Sequence, residues 1–296
     1  MARIVKKKGD HMSSIEVFAV IGAGQMGQGI AQVAARTGFQ VPLLDASLEL
    51  SEQGCRQIQR AVARLVEKGR VSLSDGEAIV SRIMPVGDCA ELGEADFVIE
   101  AATEEIALKE KIFRAADQAM KEDAILASNP SSISLTKLAA ATSRPERVIG
   151  MHFMNPVPVM KLVEIVRALQ TSEDSYQQTR ELDEKMGKTL ITTKDMPGFI
   201  VNRMLIPFLN EACFALQEGL GTIEDIDTGA QLGLNHPMGP FALADLIGLD
   251  TVLYIAEVLQ REFGDDKYRP PAILRNYVAA GWLGRKSGRG FYHYEG

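Results

Sequence analysis

Residues 147–166, Arg-Val-Ile-Gly-Met-His-Phe-Met-Asn-Pro-Val-Pro-Val-Met-Lys-Leu-Val-Glu-Ile-Val, hold a histidine and a glutamate at mirror positions about a proline-rich turn. Two β-rich runs flank Asn155-Pro156-Val157-Pro158. Folded back about Pro158, they set His152 opposite Glu164, because each lies six residues from that centre. Cross-strand neighbours have Cβ atoms about 4.5–5.5 Å apart, close enough for an imidazole to hydrogen-bond a carboxylate. A histidine held in this way is a poised general base, since the carboxylate fixes its tautomer and steadies the imidazolium. The same pattern also fits a sheet histidine beside an unrelated glutamate, and the spacing by itself does not separate the two.

A second constellation lies near the amino terminus. Ile15-Glu16-Val17-Phe18-Ala19-Val20-Ile21 reads as a buried strand, followed at once by Gly22-Ala23-Gly24-Gln25-Met26-Gly27. An apolar-periodic helix then runs from about Met26 to Thr37 and ends at Gly38, a common C-cap residue. The next strand, Gln40 to Leu44, finishes in Asp45, 21 residues after Gly24. A glycine triplet alone is a weak signal, but between a strand and a helix, with a following acid, it has the context of a dinucleotide fingerprint. Gly22 permits the tight turn, Gly24 lets the backbone approach a pyrophosphate, and Gly27 lets the helix pack on the sheet. The phosphates would then rest on the helix amino terminus. Asp45 would accept hydrogen bonds from the ribose hydroxyls and repel a 2′-phosphate, so NAD is favoured over NADP.

The remaining elements suit this task. Ala95–Glu100 and Ala124–Ala127 are short apolar strands separated by a helix near Leu108–Met120. Strands alternating with helices imply a mostly parallel, doubly wound sheet. Between the second strand and the run at 95–100 lies an insertion: a long helix over Ser47–Val66, then Glu67-Lys68-Gly69-Arg70, then a short helix from about Ser74. Such a projecting hairpin often walls a substrate cleft. Glu173–Gly187 reads as a helix and Lys188–Thr193 as the closing strand. Met196-Pro197-Gly198 is the best domain boundary. Helical stretches follow near Phe199–Glu218, Ile223–Leu232, Phe241–Ile247, Thr251–Phe263 and Ala272–Ala279.

Composition narrows the classes. With 296 residues, 46% hydrophobic and 24% charged, the chain is expected to form about two globular domains. No apolar run reaches membrane-spanning length. A net charge of −7 argues against nucleic acid as a main partner. Cys55, Cys89 and Cys213 are scattered and odd in number, which suits free thiols in a reducing compartment. Four histidines without Cys/His clustering make a metal site unexpected. Lys6-Lys7-Lys8 precedes no apolar stretch of signal type, and His11-Met12 reads as a cloning junction, so the fold is expected from residue 13 and the location is expected to be cytoplasmic.

At this point the motifs identify a resemblance. From about Ile15 to Tyr294 the sequence resembles the L-3-hydroxyacyl-CoA dehydrogenases, of the stand-alone 3-hydroxybutyryl-CoA type. The likeness rests on Gly22–Gly27, on Ala127-Ser128-Asn129-Pro130-Ser131-Ser132, on His152-Phe153-Met154-Asn155-Pro156, on Pro197-Gly198-Phe199-Ile200-Val201-Asn202-Arg203, on His236-Pro237-Met238-Gly239-Pro240 and on Gly284–Tyr292. It implies an α/β fold, with a Rossmann-like doubly wound sheet domain over 13–195, carrying the insertion at about 47–82, followed by an all-helical C-terminal domain over 196–296. It also implies hydride transfer between NAD and C3 of an acyl-CoA, with His152 as general acid/base supported by Glu164. Asn202 and Ser131 would hold the reacting oxygen and the thioester region. Cofactor contacts are expected at Gly22, Gly24, Gln25, Met26, Gly27, Asp45, Glu104, Lys109, Asn129, Asn155 and Lys286, and CoA contact at Lys68. A homodimer through the helical domain is implied as well.

Plainer readings stand beside several of these. Ser131 could cap the helix starting near Ser134. Asn202 could be a solvated residue early in a helix, and Glu104 and Lys109 surface charges. Lys68, with Arg64 and Arg70, could be a solvated helix face. His236 reads as a structural residue of a turn and His293 as a surface residue. Rival functions are a dehydrogenase of a free hydroxy acid or sugar acid, and a non-catalytic, crystallin-like nucleotide binder; the intact His152, Glu164 and Asn202 set weighs against the latter. One departure from the family pattern matters. Pro130 stands where the family usually has threonine, removing an N–H and a hydroxyl and pushing Asn129 toward extended geometry. The expected consequence is altered kinetics with the acyl-CoA and an intact fold.

Overall fold

A computed structural model describes residues 15–103, 105–130 and 133–294, and the chain divides into two compact units between Asp195 and Met196. Four short strands with uninterrupted apolar character build the centre of the first unit: β1 (Phe18–Ile21), β2 (Val41–Leu44), then β4 (Phe97–Glu100) and β5 (Ile125–Ser128), every residue of which is buried. Burial on both faces is what parallel strands between helical layers require. β3 (Ile83–Val86) lies at one edge, and β6 (Val148–Phe153), β7 (Leu162–Arg167) and β8 (Thr189–Lys194) complete an eight-stranded sheet in the order β3-β2-β1-β4-β5-β6-β7-β8. All pairings are parallel except β6 with β7. The strand order reverses between β1 and β4, and ligands of doubly wound sheets bind outside the carboxyl ends of the strands at such a point.

Helices α1 (Gln25–Thr37), α2 (Leu48–Glu67), α3 (Leu73–Ser81), α4 (Ile106–Ala119), α5 (Leu135–Ala140) and α6 (Glu173–Lys185) connect the strands. Their ends follow local capping chemistry. Gly38 closes α1 with φ +115°, and the side chains of Ser47 and Ser72 accept the Leu50 and Asp75 N–H groups at the starts of α2 and α3. Beneath α1 the rings of Phe18 and Phe97 stack with centroids 5.2 Å apart, joined by Ile30, Ala31 and Ala34. The insertion is the α2–α3 hairpin. β3 is an additional strand that the sequence pattern does not reveal. It is four residues long, contains Pro85 and exposes Met84, so it lacks the apolar run that marks a central strand.

The second unit is helical: α7 (Val201–Gln217), α8 (Ile223–Thr228), α9 (Pro240–Ile247), α10 (Leu249–Phe263) and α11 (Ala272–Ala279). α8 stops short of the expected Leu232, because the chain widens into a π turn over Gly229–Gly233. Ile206, Leu209, Phe241, Val252, Leu259 and Tyr268 form the core. Two buried carboxylates organise this unit. Asp227 accepts the Phe241 and Ala242 N–H groups at the start of α9 and the Tyr292 hydroxyl. Asp245 accepts the Phe291 and Tyr292 N–H groups and the Tyr294 hydroxyl. Burial, and then the bond to Asp245, pushes the Tyr294 phenol up to about 12. The glycines of the last motif serve this clasp, since a Cβ on Gly284 would lie 2.7 Å from the Asp245 Cα. No helix among the described residues is long and apolar enough to cross a membrane.

Candidate active site

β6 and β7 fold back so that His152 and Glu164 are direct register partners, flanked by the pairs Met151–Ile165 and Phe153–Val163. The side chains meet, with His152 Nδ1 2.7 Å from Glu164 Oε2. Glu164 is fully buried and His152 is 8% exposed. A carboxylate can only accept, so the bond places the imidazole proton on Nδ1 and makes Nε2 the basic nitrogen. The buried, aligned carboxylate thus fixes the orientation and the tautomer of the imidazole.

Asn129 straps this strand to its neighbour. It follows β5, its N–H donates to the Glu100 carbonyl, and its Oδ1 accepts the Phe153 N–H at 2.9 Å, immediately after His152. Pro130 is buried beside it. Ser131 and Glu104, both expected at the site, lie outside the described residues.

The glycine loop has the shape that a pyrophosphate needs. Gly22 takes φ +106°, and a Cβ there would lie 2.7 Å from the Ala101 carbonyl oxygen. A Cβ on Gly27 would collide with the Gly22 carbonyl. Gly24 is different: its backbone is ordinary, and a Cβ would meet nothing within 4 Å. Substituting the first and third glycines would therefore strain the protein itself, whereas the second faces space that a ligand can fill. The amino terminus of α1 has no side-chain cap and no acid in its first turn, leaving its N–H groups available to an anion. Gln25 opens the helix, and its Nε2 donates to Asn155 Oδ1 at 3.3 Å; Met26 follows, half-buried. Asp45, at the end of β2, accepts the Ala23 N–H at 2.6 Å and the Ala46 N–H at 2.7 Å. Each oxygen keeps acceptor capacity, so the carboxylate holds the loop and still presents lone pairs to a diol.

Lys109 is no surface charge. It is fully buried, with Nζ 2.7 and 2.8 Å from the two oxygens of Glu100. Ser128 Oγ donates to Glu100 Oε2 at 2.7 Å. These residues tie the carboxyl ends of β4 and β5, next to the β1–β4 boundary where the strand order reverses. Sequence reasoning misses Ser128 and Glu100, although an acid ending an apolar strand and a lysine nine residues on give a signal. It misses Asp195 as well, which accepts the Leu135 and Thr136 N–H groups and the Ser134 hydroxyl, capping α5 from about 60 residues away. No local pattern shows that. Lys68 is exposed at the end of α2, close in sequence to the exposed Arg64 and Arg70.

Two expected residues belong to the second unit. Asn202 sits in the first turn of α7 and is 7% exposed, which removes the solvated reading. Lys286, in a short turn over Arg285–Ser287, donates to Asp250 Oδ2 at 2.6 Å.

The chain matches two consecutive family models, the 3-hydroxyacyl-CoA dehydrogenase NAD binding domain over residues 17–196 and the 3-hydroxyacyl-CoA dehydrogenase C-terminal domain over 198–294. It is 48% identical over 296 residues to the 3-hydroxybutyryl-CoA dehydrogenase of Bradyrhizobium diazoefficiens, covering 100% of this chain and 98% of that protein. The 3-hydroxybutyryl-CoA dehydrogenase of Mycobacterium tuberculosis is 43% identical over 283 residues, 95% of this chain and 99% of that one. The crystal structure of the (S)-3-hydroxybutyryl-CoA dehydrogenase of Ralstonia eutropha superposes with a TM-score of 0.91 at 49% identity, covering 96% of this chain and all of that one. The protein is an NAD-dependent oxidoreductase and belongs to the 3-hydroxyacyl-CoA dehydrogenase family.

Proposed function

We propose that this protein interconverts (S)-3-hydroxyacyl-CoA and 3-oxoacyl-CoA, acting on short chains of the 3-hydroxybutyryl type, with His152 as the general acid/base. The buried His152–Glu164 pair carries the reading. The relatives' names support the substrate class.

NAD, when bound, supplies the hydride acceptor or donor at C4 of its nicotinamide. Gly24 and the amino terminus of α1 hold its pyrophosphate, and Asp45 its ribose hydroxyls. During oxidation His152 Nε2 takes the proton of the 3-hydroxyl. Glu164, bound to Nδ1, keeps Nε2 unprotonated beforehand and supports the imidazolium afterwards. In reduction the same nitrogen returns the proton. Asn129 keeps β6 in place while this occurs. Asn202 and Ser131 hold the reacting oxygen and thioester, and Lys68 meets the CoA. Gln25, Met26, Asn155, Glu104 and Lys286 complete the cofactor set, whereas Lys109, sealed against Glu100, braces the strand ends beneath it. In this reading the enzyme works in the cytoplasm as a homodimer through its helical unit, where exposed Met204, Leu232 and Leu234 offer apolar surface.

The test is the initial rate of NADH oxidation with acetoacetyl-CoA, beside free acetoacetate and NADPH. Fast turnover that needs both CoA and NADH is expected. Preference for the free acid would replace the substrate class.

A further inference from the structure

The segment joining β6 to β7 links the two halves of the proposed chemistry. It begins after His152 and Phe153, carries Asn155 to the Gln25 side chain at the start of α1, and buries Val157 against the same helix. The packing there is tight: a Cβ on Gly29 of α1 would lie 2.8 Å from the Val157 Cβ. The turn closes on itself through the Val159 and Met160 N–H groups, which both donate to the Pro156 carbonyl at 3.0 and 2.9 Å. Those bonds leave the carbonyls of Val157 and Met160 to be satisfied. Lys188, from the loop before β8, satisfies both, with Nζ 2.6 Å from the Val157 oxygen and 2.9 Å from the Met160 oxygen. The same ammonium lies 5.8 Å from the centroid of the Phe153 ring.

We propose that Lys188 is a positioning residue, whose two bonds to the 157 and 160 carbonyls fix the turn that joins the His152 strand to the amino terminus of the cofactor helix. Three observations support the assignment. A neutral turn held by backbone bonds alone would leave its tip free to shift, whereas a charged donor shared between two carbonyls makes strong, directional bonds. Lys188 is itself anchored, since its backbone N–H donates to the Asp183 carbonyl in a bend closed by Gly187 at φ +73°. Behind it stands the fully buried Asp183, whose two oxygens have no hydrogen-bond partner among the described residues. Lys188 is half-buried, and that burial draws its ammonium below the usual lysine range while Asp183 pulls it the other way.

The proposal rests on His152 being the base and on α1 holding the cofactor, and its test separates these. Lys188→Met removes the charge and the donors and keeps the stem. NADH affinity, read by fluorescence titration without turnover, and kcat with acetoacetyl-CoA should each fall by about tenfold, the loss expected for a charge-assisted bond. Lys188→Arg, which retains several donors, should recover most of both. Thermal unfolding of each variant is read in parallel, because a merely structural lysine lowers the Tm and leaves affinity and kcat unchanged well below it. Unchanged affinity and kcat in Lys188→Met would overturn the proposal, whatever its Tm. If that variant does not fold, Lys188→Gln, with one short amide donor, is read by the same two measurements, and unchanged values there overturn the proposal equally. Should His152 prove not to be the base, the NADH titration still reports on Lys188.

Discussion

His152 and Glu164 face each other across the antiparallel pair β6/β7, with Nδ1 and Oε2 2.7 Å apart and the glutamate sealed from solvent. A Glu164→Gln substitution keeps the shape and an acceptor oxygen and removes the charge that supports the imidazolium. The expected outcome is a fall in kcat of about 10- to 100-fold, the worth of a hydrogen bond to a charged group, with NADH affinity intact. Steady-state kinetics beside NADH titration checks it. Unaltered kcat would remove Glu164 from the mechanism.

The three loop glycines should respond differently to a methyl group. Gly24→Ala meets open space, so stability should move by no more than about 0.5 kcal/mol while NADH binding weakens markedly. Gly27→Ala drives its Cβ into the Gly22 carbonyl and should cost about 1–3 kcal/mol of stability. Urea unfolding paired with NADH titration distinguishes them. Equal stability losses in both variants would contradict the assignment of Gly24 to the ligand.

The register of β6 and β7 is legible in the sequence because pairing about a turn obeys simple arithmetic and because the prolines mark the turn. The glycine fingerprint and Asp45 are legible for a related reason: strand, turn, helix and acid follow in sequence, so local order is spatial order. Other features depend on contacts between distant segments. Asp195 caps α5 from the end of β8, and Lys188 reaches the 157 and 160 carbonyls from a different loop. Neither leaves a periodic or motif-like trace. β3 escapes notice because an edge strand with Pro85 and an exposed Met84 has no apolar run. Lys109 reads equally well as a surface charge of its helix, and only the fold brings Glu100 to its ammonium.

Asp183 should make the protein less stable as pH rises. Burial raises its carboxyl well above the ordinary 3.8, with Lys188 opposing the shift. Between those two values the folded chain holds a proton that the unfolded chain has released, so each increase in pH through that window favours unfolding. Asp183→Asn removes the penalty. Its Tm relative to the parent should be higher at about pH 8 than near pH 4, because only the parent loses stability as pH rises through that window. A lower Tm at the higher pH would show that the charged form is the stabilising one.

Pro130 is buried next to Asn129, whose side chain holds the strand of His152. Pro130→Thr restores an N–H and a hydroxyl to this loop. The expected outcome is a changed KM or kcat for acetoacetyl-CoA with an unchanged far-UV spectrum. Identical kinetics and NADH affinity would show the proline to be neutral.

The most direct test of the proposed chemistry is the turnover of His152→Ala with acetoacetyl-CoA and NADH, measured beside NADH binding. Loss of about 10²–10⁴-fold in kcat with binding retained is the expected result for removal of the general acid/base. Full turnover in that variant would contradict it and place the proton transfer elsewhere.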